Sequence, residues 1–231
     1  NRWEHFEDWP VPRAETQQWH LHSDGDAAGL AGGGRLSPQT PDNETPDHYR
    51  YDPSDPVPTR GGQIYWGIEG ACGPLEQRPI LTRPDVLYYR SRPLAEETAV
   101  VGPIELDLWL ASDAEDTDVI AKLCVVGPTG RVTVLTVGSL RLRYREGWDR
   151  TVALPAEEPV NVTVQMNNLA YVFPAGCRLG LVVTSSSYPR ILPHPNTMAP
   201  TWREDSPQVA RTAVLHDRDH PSRVRLPVVE M

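Results

Sequence analysis

Cysteine is scarce in this 231-residue sequence. Cys72, Cys124 and Cys177 are odd in number, lie about fifty residues apart and form no Cys-x-x-Cys pair, which argues against a disulfide framework and against a zinc site. A reducing interior, or simple burial, accounts for them. Positive charge is also short: 22 basic residues stand against 31 acidic ones, a net charge of −9. A non-specific electrostatic grip on phosphate backbones or anionic lipid is therefore not expected, and neither nucleic acid nor a membrane is an expected partner. No apolar run approaches the ~20 residues that a membrane span requires. The opening Asn1-Arg2-Trp3-Glu4 has neither an initiator Met nor the apolar core of a secretory signal. A cytoplasmic location is the expectation. The start reads as cut from something longer, because Trp3, Phe6 and Trp9 resemble the middle of a packed element.

Helical periodicity is missing too. Up to about residue 80 the chain is rich in Pro, Gly, Asp and Thr, and clusters such as Gly32-Gly33-Gly34 and Asp52-Pro53-Ser54-Asp55-Pro56 are turn signals. Residues 1–80 are read as a loop-rich lead segment of the same domain, and 81–231 as its core. From residue 85 onward the pattern becomes short runs of two-fold alternation bounded by Gly and Pro. The clearest is Ile104-Glu105-Leu106-Asp107-Leu108-Trp109-Leu110, with apolar residues on one face and acids on the other. Similar runs are Asp85–Ser91, Val119–Val126, Val132–Val137, Leu140–Arg145, Val160–Met166, Arg178–Thr184, Ala210–His216 and Arg223–Val229. Strands without a 3.6-residue stripe predict an all-β fold, a two-sheet β-sandwich. A chain of this length hides on the order of 70% of its unfolded surface and needs no metal or disulfide to stay folded.

Sites of chemistry are thin. A hydrolase nucleophile on a strand-to-helix turn needs Gly two residues before and two after its Ser, so that backbones can approach closely. No Ser meets both conditions; Ser23, with Gly25 after it but Leu21 before it, comes nearest. His20 and His22 share one face of a strand, the minimum for two metal ligands, but no third ligand is in evidence. The run Asp113-Ala114-Glu115-Asp116-Thr117-Asp118 could suit calcium, yet it departs from the EF-hand spacing and lacks its Gly. A solvated turn, with Asp116 or Asp118 bonded to nearby amides, is the preferred reading. Seven tryptophans admit a free-standing carbohydrate-binding module as the alternative, with packing or interface roles preferred. No catalytic residue, metal or cofactor is expected.

An ordered set of short motifs points further. Asn1-Arg2-Trp3 to Asp8-Trp9-Pro10, then Tyr51 through Gly62, Gln77-Arg78-Pro79, Arg83-Pro84-Asp85, Val101-Gly102-Pro103, Asp116-Thr117-Asp118, Leu140 through Arg145, Phe173 through Gly176, Ser185 through Arg190, Asn196-Thr197 and His220 through Arg223 follow one another along the chain. Together they resemble the C-terminal domain of X-Pro dipeptidyl-peptidases and cocaine-esterase/NonD-type hydrolases. The resemblance implies that this chain is a jelly-roll-like, galactose-binding-domain-like two-sheet β-sandwich, and that its parent is a serine hydrolase of acyl esters, amides or X-Pro dipeptides. Its α/β-hydrolase catalytic domain, carrying the Ser-His-Asp triad, would precede Asn1 and be this chain's partner. The fragment alone is expected to be inactive. The resemblance also places the stretch after Gly61-Gly62, centred on Tyr65 and Trp66, at the substrate-pocket wall. A homo-oligomer through an exposed apolar junction is a further expectation.

Overall fold

A computed structural model describes residues 3–63, 72–200 and 206–230. Among them are thirteen strands and no α-helix: β1 (Glu15–His22), β2 (Arg35–Ser37), β3 (Asp47–Tyr51), β4 (Leu87–Ser91), β5 (Thr98–Gly102), β6 (Glu105–Ser112), β7 (Asp118–Val126), β8 (Val132–Arg141), β9 (Val160–Gln165), β10 (Leu169–Phe173), β11 (Arg178–Thr184), β12 (Ala210–Leu215) and β13 (Arg223–Val229), with one 3-10 turn at Leu142–Tyr144. Hydrogen bonding follows the path β3-β12-β6-β13-β1-β2-β4-β11-β7-β8, with β9 on the free side of β6 and a β5–β10 pair joined through β13. Every pairing between strands is antiparallel except β2 with β4.

The path folds over on itself, as the alternation dictates. Leu106, Leu108 and Leu110 of β6 and Val162 and Val164 of β9 share one buried cluster with Leu179, Leu181 and Val183 of β11 and Ala121 and Leu123 of β7. Strands β6 and β11 lie far apart along the path, so their apolar faces meet by stacking, not by lateral pairing. The chain is thus the all-β sandwich expected from its sequence. Each buried Leu is worth about 1.5–3 kcal/mol relative to exposure.

Strand β7 is buried on both faces, and a second apolar cluster explains why. Ile120 and Cys124 of β7, Tyr88 of β4 and Val182 of β11 pack under Val57, Ile80, Leu81 and Val86. The loop-rich segment before β4 therefore covers the outside of the β4-β11-β7-β8 layer. It also supplies β1, which pairs with β13 from Glu15↔Val228 to His20↔Arg223.

Two details depart from the alternation pattern. The runs Val132–Val137 and Leu140–Arg145 form one strand and a 3-10 turn, with Gly138 inside β8 and not at a turn. Gly138 is needed there because a Cβ would stand 2.4 Å from the Gln165 carbonyl oxygen, where β9 ends against β8. The strands β2, β3, β5 and β10 had no counterpart among the expected runs.

Candidate functional site

The segment centred on Tyr65 and Trp66 lies outside the described residues, but its root is well defined. Gly62 and Gly73 form an antiparallel bridge, Gly62 N–H to Gly73 O at 2.8 Å and Gly73 N–H to Gly62 O at 3.0 Å. Gly61, Gly62 and Gly73 have φ of +62°, +95° and +82°. That conformation favours glycine, and a Cβ on Gly61 would also lie 2.4 Å from the Gly73 carbonyl oxygen. Side chains pin this neck from both sides. Arg60 Nε donates to Glu76 O at 3.1 Å, and Gln77 Nε2 donates to Arg60 O at 2.8 Å. Upstream, Thr59 Oγ1 donates to Ser187 O at 2.6 Å and Ser186 Oγ accepts the Val57 amide at 2.9 Å. The neck borders an open hollow of about 520 Å³ walled by Pro74, Leu135, Leu169 and Tyr171. Such an apolar hollow beside a pinned loop root can seat apolar groups from a neighbouring region.

The serine that came nearest to a nucleophile is spoken for. Ser23 is fully buried, and its hydroxyl lies 2.8 Å from Asp47 Oδ1 and 3.2 Å from Asp26 Oδ1. Asp47 Oδ2 accepts from Tyr89 Oη at 2.7 Å and lies 2.9 Å from His216 Nε2, while its Oδ1 also takes the Ala27 amide at 2.8 Å. Burial works to raise the Asp47 pKa, but the bonds from His216, Ala27, Tyr89 and Ser23 outweigh it and hold the carboxyl below its usual value. Burial, with the Asp47 charge beside it, pushes Tyr89 well above the ordinary tyrosine range. Serine, aspartate and histidine are all present, yet the hydroxyl faces carboxylates and not the imidazole. The His216 imidazole cannot take its proton in that order. Among the described residues no serine hydroxyl is hydrogen-bonded to an imidazole.

His20 and His22 are both buried. His22 Nδ1 lies 2.7 Å from Glu44 Oε1 and its Nε2 lies 3.0 Å from Gln39 O, so both ring nitrogens meet acceptors from the neighbouring loop. Burial, then the charges of Arg223 and His22, lowers the His20 pKa. Among the described residues no three His, Cys, Asp or Glu side chains are placed to hold a metal ion. Cys124 and Cys177 are buried thiols, and burial pushes the Cys124 thiol up to about 12.

The acidic run differs from a solvated turn. Asp116 is wholly buried, bonded to the Arg143 backbone amide at 2.8 Å and to its guanidinium, with His194 Nε2 at 2.9 Å. Asp118 takes Arg141 through two bonds, at 2.9 and 3.1 Å. The motifs Asp116-Thr117-Asp118, Leu140 through Arg145 and Asn196-Thr197 thus converge: Arg143 also donates to the carbonyls of Thr197 at 2.8 Å and Met198 at 3.2 Å. Their chemistry is architectural, because every polar partner is another part of the same fold. The signal that could have revealed this was the arginine-rich 140–145 stretch, whose charges need buried counter-ions if its strand is covered.

This β-sandwich takes up Ser23, Asp47, His216, Asp116 and His194 in bonds within its own fold. The comparisons place it accordingly: residues 1–225 match the X-Pro dipeptidyl-peptidase C-terminal non-catalytic domain, and the chain belongs to that family. It is 35% identical over 232 residues to the cocaine esterase of Rhodococcus sp. (strain MB1 Bresler), an alignment that takes in 100% of this chain and 40% of that protein. It therefore spans about two fifths of the length of that curated relative. Its fold is similar to that of an α-amino acid ester hydrolase (TM-score 0.86, 24% identity, 99% of this chain and 39% of that one). It is equally similar to that of an aminopeptidase from a marine sediment Thaumarchaeota archaeon (TM-score 0.87, 23% identity, 100% of this chain and 39% of that one).

Proposed function

We propose that this chain is the C-terminal accessory domain of a serine hydrolase of acyl esters, amides or X-Pro dipeptides. It packs on an α/β-hydrolase catalytic region of the same polypeptide, and the segment carrying Tyr65 and Trp66 forms part of the wall of that region's substrate pocket. The observation that carries this reading is the Gly62–Gly73 neck. The loop root, pinned by Arg60, Gln77 and Thr59, itself stands beside an apolar hollow. A wall of this kind excludes water and shapes the subsite for the acyl or leaving group.

The test is Trp66→Ala in the full-length hydrolase, assayed across a series of acyl chain lengths. A changed order of substrate preference or a raised KM is expected; identical kinetics would remove the wall role. The 231-residue chain alone is expected to leave p-nitrophenyl esters intact, and turnover abolished by changing a single Ser would overturn the accessory reading. Exposed Trp3 and Trp9, at 94% and 50%, are proposed to seat against the catalytic region, and to pair copies of the chain when it is isolated. A cytoplasmic location completes the proposal, in keeping with its buried thiols.

A further inference from the structure

A hollow of about 460 Å³ lies where β1, β2, β4 and the start of β11 come together, a size that suits a small molecule. Its lining includes Arg35, Arg90, Arg92 and Arg178 and no carboxylate, in a chain whose net charge is −9. Several arginines elsewhere in the sandwich are matched: Arg83 with Asp85, Arg141 with Asp118, Arg143 with Asp116, and Arg225 with Glu105 and Asp107. Those around this hollow are not. Arg178 donates to the Ser91 carbonyl at 2.9 Å. Arg35 has only Asp24 at 3.9 Å, with both side chains largely exposed, a contact worth little. Among the described residues Arg90 and Arg92 face no carboxylate within ion-pair distance.

The placement of two of them is decisive. Arg35 and Arg90 are direct partners in the parallel β2–β4 register. Like charges set opposite each other across a strand pair destabilise it, and a counter-charge between them reverses the sign. Guanidinium groups in this arrangement match the geometry of an oxyanion, which can accept paired N–H bonds from each. Beside them Trp19, half-buried on β1, lines the hollow, and Leu36 and Pro93 add apolar wall. We infer that this hollow binds a small organic molecule bearing a doubly charged oxyanion, held between Arg35 and Arg90 with its organic body against Trp19.

Phenyl phosphate and inorganic phosphate are the probes, titrated calorimetrically into the purified protein at low salt, where charge recognition is least screened. Saturable one-site binding of phenyl phosphate is expected. It weakens at least about tenfold in Arg35→Gln/Arg90→Gln, and is unchanged in Arg218→Gln, whose arginine pairs with Asp42 on another surface. Single Arg90→Gln serves as the second variant. Without ligand it should melt above the parent, because the opposed charge is gone, and it should lose the melting shift that phenyl phosphate gives the parent. No saturable binding of either probe up to about 10 mM, far weaker than a built oxyanion site, would overturn the inference. So would undiminished binding in the double variant. Equal affinity for inorganic phosphate would overturn the role of the organic body and of Trp19.

Discussion

Arg143 closes on Asp116 twice, across 27 residues of sequence: its backbone amide donates to Oδ1 at 2.8 Å, and its guanidinium Nε donates to Oδ2. The remaining guanidinium nitrogens reach the carbonyls of Thr197, Met198 and Ala199. One ion pair thus ties the β6–β7 turn, the 3-10 turn after β8 and the loop before β12 into a single buried knot.

Removing one half of that knot leaves the other half charged and dry. Asp116→Ala is expected to cost about 3–5 kcal/mol, because an unpaired buried guanidinium is penalised far beyond the value of the pair itself. Urea denaturation measures this. A loss below about 1 kcal/mol would mean that water reaches Arg143.

Acid should undo the same clusters. Burial works to raise both Asp47 and Asp116, but His216 and the Ala27 amide at Asp47, and His194 and Arg143 at Asp116, hold each below its ordinary value. The unfolded carboxylates titrate near 3.9, above the folded ones, so the unfolded chain binds more protons as acid is added. The stabilisation is complete at neutral pH and is lost as pH falls below about 5 and on through the folded values. Urea midpoints should fall steeply over that range, and Asp47→Asn should flatten the slope. A slope unchanged by that substitution would show that Asp47 titrates alike in both states.

Lys122 works in the opposite range. Burial lowers its pKa to about 8, and among the described residues its ammonium meets only Gln77 Oε1, at 3.4 Å. Between about 8 and 10.5 the unfolded chain holds the extra proton, so the cost of burying this lysine is full below that window and relieved as pH rises through it. Lys122→Met removes the cost at every pH. The stability of the parent measured relative to Lys122→Met should therefore climb between pH 8 and 10, and this difference cancels the contributions of Cys124 and the buried tyrosines. A flat difference would mean the lysine is solvated.

At the neck, Gly61→Ala combines a left-handed φ of +62° with a Cβ 2.4 Å from the Gly73 carbonyl oxygen, whereas Gly130→Ala has φ +80° and open space around it. Gly130→Ala should cost about 1 kcal/mol, the strain alone, and leave the parent hydrolase's kinetics intact. Gly61→Ala should cost more and also lower kcat/KM, since the loop root must shift. Thermal melts and steady-state kinetics separate the two variants, and equal behaviour would detach the neck from substrate access.

Strand β6 was plain in the sequence because strict alternation from Ile104 to Leu110 leaves one way to bury it, and all four apolar side chains are fully buried. Strands β5 and β10 were not. Ala99, Val100 and Val101 run on without alternation, and these short strands are set by their pairing with each other and by that of β5 with β13. Gly138 read as a boundary because local sequence does not show the β9 backbone pressing on it. The acidic run read as solvated for a related reason: the burial of Asp116 is set by Arg143 and His194, neither of which is a near neighbour in sequence. The arginine hollow was illegible because a parallel register, not spacing, brings Arg35 to Arg90. The wall residues Tyr65 and Trp66 came from resemblance alone.

The pairing of β1 with β13 sets a clock on biosynthesis. During translation β1 emerges well before its principal partner β13, so the centre of the hydrogen-bonded path stays open until β13 follows. Closing so long a loop is slow, and exposed edges invite the wrong neighbours meanwhile. Nascent chains stalled before residue 223 should therefore lean on chaperones, and release of β13 should be the event that lets the sandwich shut.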